Sequence, residues 1–96
     1  MFIKKNIKVG AGEVTAILLG LSSKNLIVLK GAKGYIMCGY LDLGAAEKFG
    51  DIAAKITGVS TIEEALGAEI NSCTSQAETA GIFRGQSVKE ALKLIS

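Results

Sequence analysis

Gly34-Tyr-Ile-Met-Cys-Gly-Tyr-Leu-Asp42 is the segment in which a strand reading gives way directly to a helix start. Before it, apolar residues recur with a period near two; after it, the period becomes helical. Tyr35 to Leu41 reads as a strand, with Ile36, Cys38 and Tyr40 on one face and Tyr35, Met37, Gly39 and Leu41 on the other. Asp42 is a good N-cap, and its charge suits a helix N-terminus. Gly39 inside the strand reading implies a bulge or a close backbone approach. With the strand taken as central, Gly39→Val is expected to destabilise it.

Upstream, Ile3, Ile7 and Val9 fit a first strand. Val14 to Leu21 fits a second, apolar on both faces, and Leu26 to Leu29 a third. Gly10-Ala-Gly12, Ser22 to Asn25 and Gly31-Ala-Lys-Gly34 are turns by composition, the last with glycine available for positive φ. Turns this short require antiparallel neighbours, because parallel pairing needs a crossover. Downstream, Leu43, Ala46, Phe49, Ile52, Ala53 and Ile56 fall on one stripe of a helix from Leu43 to Thr57, with Gly58 as its C′ residue. Gly44, Gly50 and the alanines give this helix a small-residue surface. Thr61-x-x-Glu64, Ser75-x-x-Glu78 and Ser87-x-x-Glu90 are capping boxes that open three further helices. Ala68 to Thr74 reads as a last strand.

These elements predict an α+β fold. It is a two-layer sandwich with a mixed, mainly antiparallel sheet of five to six strands, an N-terminal meander, and helices packed on one face. The 96 residues suit one domain spanning 1–96. Apolar residues make up 49%, enough for a core, and the charged fraction of 21% excludes a disordered chain.

A net charge of +2 is too small for a nucleic-acid surface, which needs a concentrated basic face. Lys4, Lys5 and Lys8 read instead as edge-protecting lysines. Two cysteines and no histidine offer too few ligands for structural zinc. Gly10-Ala-Gly12 begins like a dinucleotide fingerprint but lacks the third glycine and precedes a strand. No cofactor is implied. The first residues lack the apolar core of a signal peptide, and no stretch reaches the ~20 apolar residues of a membrane span. A cytoplasmic protein with reduced cysteines is the expectation.

Among chemistry-bearing residues, Cys38 lies next to a helix start, where a thiol can become nucleophilic. The competing reading is a small buried hydrophobe. Tyr40 and Asp42 lie beside it. Arg84, the only arginine, sits in Gly81-Ile-Phe-Arg-Gly85 and is a candidate anion contact. Asn71, Ser72, Thr74 and Ser75 either line a polar pocket or satisfy a strand end and a cap.

Lys33 to Asp42, Ala45-Ala-Glu-Lys48, Gly50-Asp-Ile-Ala-Ala54 and Thr57-Gly-Val59 together resemble the YunC-like family, small bacterial and archaeal proteins grouped as a domain of unknown function. The likeness runs from about Asn25 onward and includes Ala77 to Ile82 and Gly85 to Leu92. It implies an α+β fold with a mixed, mainly antiparallel sheet, and no particular activity.

Two functions remain open at this level. The first is a non-catalytic module that binds a small ligand or partner, or acts as an oligomeric accessory domain. The second is a thiol-dependent enzyme using Cys38. A homo-oligomer, with a dimer favoured, follows from a mean hydropathy of +0.40 in so short a chain.

Overall fold

A computed structural model describes all residues, Met1–Ser96. Six strands form one sheet in sequence order: β1 (Phe2–Val9), β2 (Gly12–Gly20), β3 (Asn25–Lys30), β4 (Tyr35–Met37), β5 (Ala53–Lys55) and β6 (Ser72–Cys73). Only β4 and β5 are parallel, in register Ile36 to Ala54; every other neighbouring pair is antiparallel. Four helices accompany the sheet: α1 (Leu43–Phe49), α2 (Ile62–Leu66), α3 (Ser75–Thr79) and α4 (Val88–Ile95). The α+β class and the mixed, mainly antiparallel sheet agree with the sequence reading.

Strand alternation divides the sheet into two faces. Val14, Ala16, Leu18, Ile27, Leu29 and Ile36 point to the main core, where Ile62 and Ala65 of α2, Ala77 of α3 and Val88, Leu92 and Ile95 of α4 meet them. The opposite face carries a small cluster of Leu41, Ala46 and Ala53, backed by Tyr35, Met37 and Leu43. Helix α1 therefore covers the second face, and only around β4 and β5. Ala46 seats α1 on its own sheet, which accounts for the small residues along this helix.

The helix expected from Leu43 to Thr57 stops early. Gly50 adopts φ 74°, a left-handed C-cap whose N–H bonds back to Ala46 and Glu47. The chain then extends into β5, where Tyr35 N–H binds the Ile52 carbonyl and Ile56 N–H binds that of Met37. Gly58, read as the C′ residue, lies in the loop after β5 with φ 72°. β4 is also shorter than expected: Cys38 to Leu41 is a turn closed by Leu41 N–H to Cys38 carbonyl at 3.0 Å.

The capping signals are realised locally. Thr61 and Glu64 form a reciprocal box, and Ser87 Oγ accepts from Glu90 N–H. At α3 the cap is Thr74 rather than Ser75. Ser75 instead gives its N–H and hydroxyl to Glu47 of α1, and these bonds hold the Glu47 carboxyl below its ordinary pKa.

Candidate functional site

β4 and β5 are adjacent and parallel, yet their following connections leave over opposite faces of the sheet. After β4 the chain passes to α1 on the second face. After β5 it passes to α2 on the main-core face. Two neighbouring connections that diverge in this way open a crevice beyond the carboxyl ends of their strands, the usual ligand position in open α/β sheets.

A cavity with a volume of about 540 Å³ lies there. It has three walls: Ser23 to Asn25 from the β2–β3 turn, Cys38 to Tyr40 after β4, and Thr57 to Ser60 after β5. Asn25 ties two of them together, its Nδ2 donating to the Ser60 carbonyl at 2.8 Å.

Cys38 forms the floor and is only 4% exposed. Its backbone N–H continues the β3–β4 ladder to Ile27, and Ile27 N–H returns a bond to Sγ at 3.3 Å. The thiol donates to the Asn25 carbonyl at 3.8 Å. Cys38 is thus both a member of the main core and a surface of the cleft. Cys73 is likewise a free thiol, half-buried, with its pKa raised by burial and by the nearby Glu78 carboxylate.

The sequence candidates separate. Cys38 and Tyr40 share the cleft, with the Tyr40 ring half exposed. Asp42 lies just outside it and acts as the α1 cap, Oδ1 accepting from Ala45 N–H at 3.1 Å. Arg84 is exposed in the α3–α4 loop and does not line the cleft. Thr74 is fully buried and spent on structure. Lys24, Thr57 and Ser60 were missed: the β3–β4 pairing brings Lys24 alongside Cys38, and only β5 and its loop bring Thr57 and Ser60 opposite it. Gly58, with its positive φ, was the signal for a tight turn there.

Gly39 does not pack as expected. A Cβ built on it would meet nothing within 4 Å, and its φ is not positive. The segment is a turn facing the cleft, so Gly39→Val loses its packing rationale.

A second hollow of about 350 Å³ lies beside the β3–β4 turn, including Lys30, Lys33 and Gln76. Its Tyr35 hydroxyl already donates to Asp51 at 2.8 Å, and the tyrosine pKa is raised by burial and by that carboxylate. No group of three His, Cys, Asp or Glu side chains is placed to hold a metal ion. No helix is long and apolar enough to cross a membrane.

The sheet order and the cleft at its single parallel step define a small α+β protein with an open polar crevice at that step. The family profile described as "Domain of unknown function (DUF1805)" matches residues 37–95. The chain belongs to this family, the one that contains the YunC protein. It is 40% identical over 82 residues to the "Uncharacterized protein YunC" of Bacillus subtilis, covering 81% of each chain. A protein of unknown function from Thermoplasma acidophilum, solved by crystallography, is similar at 30% identity and a TM-score of 0.96, covering all of this chain and 94% of that one.

Proposed function

We propose that this protein is a non-catalytic binding module whose ligand is a small molecule held in the cleft beyond β4 and β5. The divergence of the β4 and β5 connections carries this reading, because the cavity lies where open sheets bind ligands. Its volume of about 540 Å³ suits a small molecule. A small-molecule library screened against the labelled protein should move the amide resonances of Cys38 to Tyr40 and Thr57 to Ser60. Hits that map only elsewhere would refute the assignment.

The thiol-dependent alternative has one observation in its favour, the position of Cys38 on the cleft floor. Against it, the thiol is 4% exposed and its hydrogen is already given to the Asn25 carbonyl. Catalytic cysteines need an accessible thiolate. Cys38 is therefore expected to react with iodoacetamide at neutral pH more slowly than free cysteine. A rate above that of free cysteine would restore the enzyme reading.

A second observation favours self-association as part of the role. On the second face, the sheet beyond α1 presents Phe2, Leu19 and Leu26 in one cross-strand row and Ile17 and Val28 in the next. Phe2 is 62% and Leu19 40% exposed, and neighbouring Leu21 is 43% exposed. An apolar patch of this kind on a small protein is an association surface. We propose a homodimer that buries it. Light scattering across a tenfold dilution in the micromolar range should report two chains, and Leu19→Lys should return one. A one-chain mass for the wild type would remove the proposal.

A further inference from the structure

The cleft walls offer hydrogen-bond donors that have no acceptor inside the protein. The backbone N–H groups of Gly39, Tyr40, Thr57 and Gly58 make no hydrogen bond to any backbone or side-chain group. Among the carbonyls, those of Lys24, Asn25, Cys38 and Ser60 are engaged by Leu21 N–H, the Cys38 thiol, Leu41 N–H and the Asn25 amide, while those of Gly39, Tyr40, Thr57 and Gly58 are open like their amides. The Lys24 ammonium is unpaired: the two ion pairs of the molecule are Lys5–Glu63 and Lys93–Glu90.

No carboxylate lines the cavity. The two nearest along the chain serve caps: Asp42 Oδ1 accepts from Ala45 N–H at the start of α1, and Glu64 Oε1 is bound by the N–H groups of Ser60 and Thr61 at 2.7 and 3.2 Å at the start of α2. Free amides beside a lone cation, with no carboxylate in the lining, complement the negative charge of an anionic ligand group.

Gly39 adds an independent observation. Neither its φ nor its neighbours require glycine, since a Cβ there would touch nothing within 4 Å. Gly39 is exposed and lines the cleft. A glycine with no packing role at such a point leaves the backbone free for close approach by a ligand.

We infer that the cleft binds the oxyanion of a phosphate- or carboxylate-bearing small molecule. Lys24 supplies the counter-charge, and the paired amides of Gly39–Tyr40 and Thr57–Gly58 supply the hydrogen bonds. The Tyr40 ring and Val59 are left to contact the remainder of the ligand. This assignment rests on the cleft being a ligand site and specifies what that site recognises.

The test titrates the full-length, ¹⁵N-labelled protein separately with inorganic phosphate, acetate and a set of neutral heterocyclic fragments. Saturable shifts of the Gly39, Tyr40, Thr57 and Gly58 amides are expected with an anion, and whichever anion binds more tightly identifies the headgroup. Lys24→Gln should weaken that binding about tenfold, the scale of one lost charged hydrogen bond, and Gly39→Val should weaken it as well, by obstructing approach to the backbone amides. Both should leave the unfolding midpoint at its wild-type value. Shifts confined to surface lysines, or anion binding indifferent to both substitutions, would overturn the inference. If only the neutral fragments move the cleft amides, the ligand site stands and the oxyanion assignment falls. If no probe moves them, both fall.

Discussion

Gly34→Ala is expected to lower the stability of the protein by about 3 kcal/mol, the upper end of overpacking costs. A methyl group on Gly34 would be driven into the backbone carbonyl oxygen of Ile52, with Ile52 Cγ2 at 2.8 Å and Cβ at 2.9 Å. The same carbonyl accepts the Tyr35 N–H that opens the β4–β5 ladder. A carbonyl in a ladder cannot rotate away as a side chain can, so β4 and β5 would have to separate at their amino ends. For a domain of this size the loss corresponds to a melting temperature lower by about 12–24 °C. Gly39→Ala, with open space around its Cβ, serves as the matched control and is expected to stay within about 0.5 kcal/mol of wild type. Equal midpoints for the two variants would show that the Gly34 contact is not a constraint.

Gly34 also illustrates which parts of the structure were legible. Its turn was read from composition, and the turn is there. The reason assigned to its glycines was positive φ, yet neither Gly31 nor Gly34 has it. Both are glycines because another backbone passes over them: Ile95 at Gly31 and Ile52 at Gly34. Contacts of that kind depend on chain segments far away in sequence, and no local pattern records them. The four-stranded meander and the caps of α2 and α4 were legible because their determinants are local: alternation, short turns, and Ser or Thr three residues before Glu.

β5 was not legible for a different reason. Ile52, Ala53 and Ile56 continue the apolar spacing of α1, and alanine carries little preference against helix. What makes Ala53–Lys55 a strand is the break at Gly50 and the unpaired edge of β4 waiting beside it. Missing β5 meant missing the divergence of connections, and with it the cleft. Cys38 and Tyr40 were singled out as isolated residues, and Asp42 was seen correctly as a cap. Their partners Thr57 and Ser60 become neighbours only when β5 lies against β4, and Lys24 joins them from the turn before β3. Arg84 was attractive as the only arginine, but chemistry without placement did not make it part of the site.

Thr74→Val is expected to cost about 3–4 kcal/mol, although the two side chains have the same shape. Thr74 is the one fully buried polar residue. Its Oγ1 accepts from Ala53 N–H and Ala77 N–H, each at 3.2 Å, and donates to the Asp51 carbonyl at 2.7 Å. One hydroxyl thus caps α3 and pins the start of β5. Valine removes all three bonds and leaves buried backbone groups without partners, at about 1–3 kcal/mol for each group that water cannot reach. Thr74→Ser keeps the hydroxyl and loses only a methyl group, worth about 0.8 kcal/mol. Serine should therefore be the milder change despite being the larger change of shape. Amide exchange supplies the local readout: with valine, Ala53, Ala54 and Lys55 should lose protection before the strands of the meander do, since β5 is held at its start by this hydroxyl. The same variant should weaken any ligand held beyond the ends of β4 and β5, because the Thr57–Ser60 wall hangs from the strand that Thr74 braces. If valine proves as stable as serine, the hydroxyl is not what fixes β5, and the cleft owes its shape to the apolar contacts of Ala53 and Ile56 alone.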